Sequence, residues 1–352
     1  MSVSCMAIVC LLAAPPAPDS PSWPARVSEL RLLLAQKRFG ELERAIVASQ
    51  ERFERSQTSE DEPWATMQAF LENDGPTETG LSEWVDLKPR SYAALAARGL
   101  YYEGTGWSVR GSKVIRDTTS GQLRSMSSMH ALAERDCERA LAIRPNLIAC
   151  HAALINIAKA TGDEDGQRRR YEAARAATPE SVLIATARLE SLTPRWGGSY
   201  PKMQDLLHAI AKETLGQTPR GRALSGYVKA DQAWVASTHN DPRSAVRLYT
   251  EAISLGGGSA AYYAGRGMSS YRLDRKADAL KDFDRALELS PWGWPYSEAK
   301  LPGVLAGRAW IRFSNGRLGG AKADVRGALI LDPSEPFALD VGERIRATRK
   351  DP

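Results

Sequence analysis

The sequence predicts an all-α protein, a helix-turn-helix repeat solenoid, and three observations support this prediction. Apolar residues recur at three- and four-residue spacings along most of the chain, which is the pattern of amphipathic helices. In the carboxyl-terminal third, small and aromatic residues recur in one register at a step of about 34 residues, as in repeat architectures. The segments between the predicted helices are short and contain Gly or Pro, as helix-terminating turns require.

The composition is that of an ordinary folded protein. The chain has 352 residues, of which 43% are hydrophobic and 25% charged, and only four are Cys. These values exclude wholesale disorder, a collagen-like chain and a dense disulfide scaffold. The formal net charge of +5 is spread over the whole chain, so the sequence predicts no nucleic-acid partner.

Residues 1–18 form a leader that is similar to a signal peptide. The uncharged apolar run Cys5–Ala14 is followed by the proline-rich segment Pro15–Pro24, which cannot continue a helix. The run is too short to span a bilayer, and no later stretch is long enough, so we expect no membrane span once the leader is removed. No Lys or Arg precedes the run, and the alternatives stay open: cleavage near Ala14 or Ala17 with a periplasmic or secreted product, an uncleaved anchor, or a disordered cytoplasmic leader.

From residue 26 to residue 220 the periodicity predicts an irregular helical domain. Helices are predicted over Val27–Gln36, Phe39–Arg55, Ser91–Tyr102, Met129–Ile143, Leu147–Ala160 and Asp165–Ala177. Residues 76–121 are less regular, because Gly recurs there and weakens the helical pattern on both sides of Ser91–Tyr102.

The clearest repeat covers residues 260–291. Its two amphipathic helices are predicted over Tyr262–Leu273 and Lys276–Leu289. The small residues Gly267 and Ala279 permit a close approach of these helices, and Phe283 fills the space between them. Pro291 ends the second helix, because it cannot continue the hydrogen-bond pattern.

Copies of the same register begin at Gly226 and Pro302, so we predict three repeats and a terminal helix over residues 224–350. The first copy ends in Gly256–Gly258 rather than Pro. Because this glycine run follows a helix, we interpret it as a helix cap and not as a phosphate-binding loop. The last predicted helix, Phe337–Thr348, has a polar outer face, as the cap of an open stack requires.

This register resembles the tetratricopeptide repeat. The resemblance implies a right-handed superhelix in which the first helix of each pair lines a concave groove that binds a peptide or protein. The groove positions of that family are occupied here by Trp234, Met268, Tyr271, Arg272, Trp310 and Phe313. An alternative stays open, in which Trp234 and Trp310 pack against the terminal helix or against an insert of about eight residues around Trp292–Tyr296.

Residues from about 30 to about 215 resemble a bacterial helical domain family of uncharacterised function. The matching residues are Trp84, Pro89–Tyr92, Ala97–Gly99, Trp107, Arg110 and Gly111, together with the motif Pro194, Arg195, Trp196, Gly197 and Gly198. The resemblance implies a bacterial origin and a domain boundary near residues 215–225, and it assigns no role to the motif. We interpret Trp196–Ser199 as a structural junction between two helices, with contact to a ligand as the alternative.

The sequence contains no motif of known chemistry. The four His residues lack metal-binding spacing, no Cys pair has C-x-x-C spacing, and the nucleophile-elbow and phosphate-loop motifs are absent. We therefore predict no metal, no cofactor and no catalytic residue. The predicted function is a non-catalytic protein–protein interaction scaffold with an unknown protein or peptide partner.

Two other functions stay open. An enzyme could be housed in residues 60–220, and a buried acid pair or a His in a cleft would reveal it. An anionic-ligand binder would show Lys and Arg clustered on one face. The one run of three arginines, Arg168–Arg170, starts a helix whose period sends most of the run to solvent, so we interpret it as a solvated face.

Two cysteines lie beyond the leader, Cys137 and Cys150. They belong to consecutive predicted helices, which touch in such a stack. In an oxidising compartment they would form a disulfide if their Cα atoms lie within about 7 Å. The alternative is that both are buried thiols at packing positions.

Overall fold

The structure, a computed structural model, describes residues 22–71, 75–111, 115–290 and 300–348. Within these ranges the regular structure is helical and contains no strand, which confirms the all-α prediction. The predicted leader and the insert around Trp292–Tyr296 lie outside the described residues, so export stays a prediction.

The amino-terminal part of the described chain begins with ten helices. They are α1 (Trp23–Ala35), α2 (Phe39–Glu54), α3 (Asp61–Gln68), α4 (Gly75–Leu87), α5 (Tyr92–Arg110), α6 (Ser120–Ile143), α7 (Ile148–Thr161), α8 (Glu164–Ala177), α9 (Val182–Ser191) and α10 (Tyr200–Ala211). The described carboxyl-terminal part continues with α11 (Thr214–Gln217), α12 (Pro219–Ala223), α13 (Tyr227–Thr238), α14 (Pro242–Gly256), α15 (Ala260–Arg272), α16 (Lys276–Leu289), α17 (Leu301–Ser314), α18 (Leu318–Leu331) and α19 (Pro336–Ala347).

Helices with clear apolar periodicity are where the sequence predicts them. The helix α16 spans the predicted residues, and α2, α7, α8, α15 and α19 differ from prediction by one or two residues at their ends. The helices α5 and α6 are longer than predicted. In α6 the extension begins at a capping box, in which Thr119 and Gln122 satisfy each other's backbone N–H groups.

Consecutive helices pack as pairs in α5/α6, α7/α8, α13/α14, α15/α16 and α17/α18. Short turns of two or three residues join the helices of every one of these pairs except α5/α6. In α15/α16 a Cβ atom on Gly267 would lie 2.8 Å from the ring of Phe283, so only Gly permits this approach. The pair α5/α6 repeats the device, since a Cβ atom on Gly99 would lie 2.8 Å from Sγ of Cys137. These contacts confirm the predicted repeat solenoid and extend its packing into the region predicted as irregular.

A buried arginine–aspartate ion pair joins the two helices in three of these pairs, and the apolar periodicity of the sequence does not indicate it. In each, an arginine on the first helix donates two hydrogen bonds to an aspartate on the second. The pairs are Arg98–Asp136, Arg266–Asp282 and Arg308–Asp324, with distances from 2.6 to 3.1 Å. The aspartates are almost completely enclosed, which makes these pairs part of the interior.

The two ends of the described chain meet. The guanidinium of Arg31 on α1 donates to the carbonyl of Ile330 at 2.5 Å, at the end of α18, and to that of Ala69 at 2.7 Å. A Cβ atom on Gly327 would lie 3.4 Å from Pro24. The helix α19 packs on α17 and α18 as the predicted terminal cap, and α1 also packs on α18.

The cysteines Cys137 and Cys150 lie on α6 and α7 and are both buried free thiols in the structure. A hydrogen bond to Cys150, and then burial, hold the pKa of Cys137 well above its usual range. The two sulfur atoms are therefore neighbours, as a disulfide would require. Oxidation of the pair stays a prediction.

Candidate functional site

A pocket of about 180 Å³ lies where the amino-terminal ends of α9, α13 and α15 meet α12. Its walls combine apolar, aromatic and charged side chains, principally those of Val182, Leu183, Leu224, Ala230, Tyr227, Trp234, Asp61, Arg195, Arg220 and Asp231. A largely apolar concavity with a few convergent polar groups is the usual form of a ligand-binding site.

Arg195 organises one wall of the pocket. Its guanidinium donates to Oε2 of Glu190 at 2.7 Å and also to Oδ1 of Asp231. The same group lies 4.1 Å from the centroid of the Trp234 ring, within cation–π distance. Arg195 therefore joins α9 to α13 and fixes one face of Trp234.

The motif Pro194–Gly198 places Arg195 by backbone geometry. Residues Pro194–Trp196 form a 3-10 turn, which ends at Gly197 with a left-handed φ of 84°. A Cβ atom on Gly198 would lie 2.0 Å from the carbonyl oxygen of Leu192, so a side chain there would clash with the backbone. The predicted structural junction is thus combined with a contribution of Arg195 to the pocket wall.

Asp231 has one carboxylate oxygen that lacks a hydrogen bond. The residue is 5% exposed, and no described group donates to its Oδ2 with normal geometry. The Tyr200 hydroxyl lies near this carboxylate, and burial, followed by the charge of Asp231, raises the pKa of Tyr200 to about 12. Buried carboxylate oxygens ordinarily have donors, and the Tyr200 hydroxyl is the neighbouring group that can donate to this carboxylate.

Sequence reasoning missed Asp231 because it considered only the groove positions of the repeat. A signal was present. Tyr227 stands four residues before Asp231 and Trp234 three residues after it, so all three lie on the same face of the helix. A charged residue among apolar residues on one face is a candidate for a buried ion pair.

The opposite wall is held by α3. Arg220 donates to Oδ1 of Asp61 at 2.7 Å and approaches Glu60 at 3.5 Å. The Glu60 carboxylate accepts from the backbone N–H groups of Val182 and Leu183, at 3.0 and 3.1 Å, and thereby caps α9. Burial raises the pKa of Glu60, and Asp61 adds to the shift.

A buried charged network lies behind Arg195. Lys159 on α7 is 3.8 Å from Oε1 of Glu190, and its ammonium lies 4.6 Å from the centroid of the Trp196 ring. Burial lowers the pKa of Lys159. Nearby, Glu103 on α5 accepts from Nε1 of Trp107 at 2.7 Å, and burial raises the pKa of this carboxyl.

Glu103 and Glu190 are the kind of buried acids by which an enzyme in residues 60–220 would be recognised. Neither lines the pocket, and Glu190 already accepts from Arg195, Trp196 and Tyr227. The network therefore has the arrangement of an internal ion cluster. In the described part of the chain, no group of three His, Cys, Asp or Glu side chains could hold a metal ion.

Of the six predicted groove residues, Trp234 lines the pocket. Arg272 instead reaches back to α13, where it donates to Oγ of Ser237 at 2.8 Å and to the Ser237 carbonyl at 3.1 Å. Met268 is half-buried, with its sulfur 3.8 Å from a Cβ position on Gly307. Trp234 is therefore the predicted groove residue best placed for a ligand.

The other three groove residues lie toward α19. The Tyr271 ring is 5.7 Å from that of Phe337, and the Trp310 ring is 5.9 Å from that of Phe313. The guanidinium of Arg344 on α19 lies 5.2 Å from the Trp310 centroid. These rings are half-buried against the terminal helix, which is the alternative that the sequence left open for Trp310, and their part in binding stays a prediction.

The arginine run Arg168–Arg170 is ion-paired. Arg170 bonds to Glu134 and Glu138, while Arg168 pairs with Asp165 at 3.1 Å. Arg169 is 66% exposed and approaches Asp163 at 3.8 Å. The run thus has acidic neighbours, and no observation here favours the anionic-ligand alternative.

His130 provides a test of the packing beside the Trp107 ring. It is 3% exposed, its Nε2 has no hydrogen-bond partner among the described residues, and burial lowers its pKa to about 4. In the unfolded chain the His130 imidazole is protonated below about pH 6.5, whereas in the folded state it stays neutral down to about pH 4. Acidification from pH 6.5 toward pH 4 therefore destabilises the folded state. We expect a loss of roughly 2–3 kcal/mol by about pH 4.5.

The measurement is urea unfolding at neutral and acid pH. In His130→Leu the acid-dependent loss of unfolding free energy is expected to shrink by this amount. His239→Leu, at an exposed position, is the control and should retain the wild-type dependence. Equal pH dependence in all three proteins would contradict the burial of a neutral imidazole.

A known family model matches part of the amino-terminal region. Residues 26–165 match the family model of a domain of unknown function, DUF4034. The match confirms the predicted resemblance to an uncharacterised domain family over these residues, and the motif Pro194–Gly198 lies beyond it. No curated protein matches the chain.

Several solved repeat structures are similar to this chain. The TPR domain of Arabidopsis OM64 is 27% identical, with 36% of this chain and 98% of that chain covered and a TM-score of 0.32. A tetratricopeptide repeat protein from Parabacteroides merdae is 14% identical, with 88% and 99% covered and a TM-score of 0.33. The TPR2AB domain of yeast Sti1, solved in complex with pHSP90, is 12% identical, with 88% and 97% covered and a TM-score of 0.26.

The described part of the chain has the fold of a helical repeat solenoid. The paired helices and their small-residue contacts define that architecture. Among the described residues, no helix is both long and apolar enough to cross a bilayer.

Proposed function

We propose that this protein is a non-catalytic interaction scaffold that holds a peptide or protein segment in the pocket between α9, α13 and α15. The observation that carries the proposal is the pocket wall around Trp234, a large aromatic side chain that is only half-buried. Aromatic side chains in such positions commonly supply much of the binding energy at interfaces.

The lining suits a peptide better than a reacting substrate. Its charged groups are already engaged with one another, as Arg195 with Asp231 and Arg220 with Asp61. Apolar walls with a few fixed polar groups provide contacts for side chains and hydrogen bonds for orientation. Binding of a peptide therefore requires only the side chains that line the pocket.

The position of the pocket reduces the number of predicted groove residues that we assign to binding. Trp310 and Tyr271 lie beside α19, where Phe337 and Arg344 contact them. We infer that a partner engages the array near Trp234 and that the aromatic residues nearer the carboxyl terminus contribute mainly to the packing of the terminal helix.

The test is partner capture from an extract of the native host, with wild-type protein and with Trp234→Ala. We expect the variant to retain less than about a tenth of the captured partner, because loss of a central aromatic anchor commonly costs 2 kcal/mol or more. Leu255→Ala removes an exposed apolar side chain on α14, outside the pocket lining, and serves as the control.

Thermal unfolding of both variants separates binding from folding. Trp234→Ala should melt closer to the wild type than a truncation in the core would, because the Trp234 side chain is only half-buried and one face of its ring lies against Arg195. Equal capture by Trp234→Ala and wild type would remove the pocket from the proposed function.

A further inference from the structure

The charged groups of the pocket wall are balanced among themselves. They are two arginines and two aspartates, in the pairs Arg195–Asp231 and Arg220–Asp61. Each arginine also approaches a second carboxylate, both oxygens of Asp61 accept hydrogen bonds, and Asp231 has the Tyr200 hydroxyl beside it as a further donor. A charged ligand would therefore lose its hydration without finding a free counter-charge, so the pocket favours an uncharged group.

The uncharged part of the lining is rich in aromatic rings. Four aromatic side chains line the pocket, those of Tyr227, Trp234, Tyr249 and Tyr262. The Tyr227 hydroxyl donates to a carboxylate of α9 and the Tyr262 hydroxyl to a backbone carbonyl of α12, both at 3.2 Å. Because these hydroxyls are engaged within the protein, the rings provide the surface for a ligand. Aromatic rings stabilise a further ring by edge-to-face or offset contact, in addition to the effect of apolar burial.

The pocket has the size of one ring. Its volume is about 180 Å³, and the small residues Ala230, Gly258, Ala260 and Ala261 lie among the aromatic side chains of its lining. In another protein, an apolar cavity of about 150 Å³ binds benzene. A phenyl group therefore fits this pocket, whereas a folded element of a partner does not.

We propose that the pocket receives one phenylalanine side chain of the partner segment, with its ring packed among Tyr227, Trp234 and Tyr262. The proposal rests on the proposed function, since it names the side chain by which the partner engages the same site. The binding free energy comes from burial of the ring, and the ion pairs of the wall remain intact. The same balance of charge disfavours an anionic ligand at this pocket.

Blocked pentapeptides of sequence Ala-Ala-X-Ala-Ala, with X as Phe, cyclohexylalanine, Ala, Lys or Glu, provide the probes. Their dissociation constants can be measured with the full chain from chemical-shift changes of the Trp234 indole N–H, which is assigned by its loss in Trp234→Ala. Full burial of a phenyl side chain changes an equilibrium constant by roughly ten- to a hundredfold, so we expect the Phe peptide to bind at least about tenfold more tightly than the Ala peptide. The Lys and Glu peptides should bind no more tightly than the Ala peptide, and added salt should leave the affinity for the Phe peptide unchanged.

The cyclohexylalanine peptide separates the aromatic contribution from apolar burial, because its ring has a similar size and no π-system. We expect it to bind more weakly than the Phe peptide. Binding as tight as that of the Phe peptide, by the cyclohexylalanine, Lys or Glu peptide, would contradict the assignment of an aromatic side chain.

Ala261→Leu adds a side chain at the pocket lining and should abolish the advantage of the Phe peptide, because it occupies the space for the ring. Ala131→Leu makes the same change at an exposed position on α6, outside the lining, and should leave the advantage unchanged. The wild-type ratio of Phe to Ala affinity decides the question even if Ala261→Leu folds poorly. Equal binding of the Phe and Ala peptides by the wild type overturns the proposal.

The two proposals fail separately. If Trp234→Ala loses partner capture but the wild type binds the Phe and Ala peptides equally, the scaffold stands and the aromatic anchor falls. If the wild type prefers the Phe peptide but capture is unaffected by Trp234→Ala, the pocket binds aromatic side chains and the scaffold function at Trp234 falls.

Discussion

Asp136→Leu is expected to lower the free energy of unfolding by about 3–5 kcal/mol, because it leaves a buried arginine without its anion. Asp136 is fully enclosed, and Arg98, which donates to both of its oxygens, is 8% exposed. Arg135 and Arg139 also approach the same carboxylate, at 3.4 and 3.6 Å. Urea unfolding followed by far-UV circular dichroism measures the effect.

Two comparisons show whether burial is the cause. The double variant Arg98→Met, Asp136→Leu removes both charges and is expected to be more stable than Asp136→Leu alone, since no uncompensated guanidinium remains between α5 and α6. Glu41→Ala breaks an exposed ion pair with Arg38 and should change stability far less. A loss in Asp136→Leu no larger than in Glu41→Ala would contradict the structural role of the pair.

The repeat register could be predicted because it is a local steric requirement. Where two helices approach closely, only Gly or Ala fits, and such residues recur at fixed positions, as at Gly267 and Ala279. The apolar period of α16 gives its ends as well. These features need no knowledge of distant residues.

The arginine–aspartate pairs were also visible in principle. Arg266 and Asp282 have the same separation as Arg308 and Asp324, and each arginine is followed by a small residue. If only the apolar positions are considered, the arginine and the aspartate of each pair are both expected to face solvent. A charge that recurs in register is as informative as a recurring glycine, because a buried arginine requires its aspartate within the same copy.

The pocket could not be predicted, because its charged contacts join distant parts of the chain. Arg220 is 159 residues from Asp61, and Arg195 is 36 residues from Asp231. The helix α3 contributes Asp61, and its buried carboxylates hide the apolar period on which helix prediction depends. Family register likewise gives the direction in which Trp310 points, but not the presence of Arg344 above its ring.

Lys159→Met is expected to destabilise the fold by about 3–5 kcal/mol near neutral pH, since it removes the cation that Glu190 and Glu103 share. Lys159 is 7% exposed, so its ammonium and the carboxylates that it neutralises are largely withdrawn from solvent. Lys202→Met removes an exposed cation, paired with Glu164 at 2.7 Å, and should have a much smaller effect.

The pH dependence identifies the group that responds. Burial already holds the pKa of Glu103 above its usual value, and Lys159 opposes that shift. Without Lys159 the folded-state pKa of Glu103 rises further above its unfolded value, so the folded state binds an extra proton, and stability decreases as pH rises through the folded-state pKa. The defect of Lys159→Met should therefore be smaller at about pH 5 than at about pH 8.

Adding Glu103→Gln to Lys159→Met isolates this carboxyl. The amide oxygen can still accept from Nε1 of Trp107, but it carries no charge, so the double variant should regain part of the lost stability and lose the difference between the two pH values. Urea unfolding of the four proteins, wild type, both variants and Glu103→Gln alone, gives the coupling energy. A pH-independent defect in Lys159→Met, or no recovery in the double variant, would show that Lys159 stabilises the fold through the Trp107 and Trp196 rings and not through the buried carboxylates.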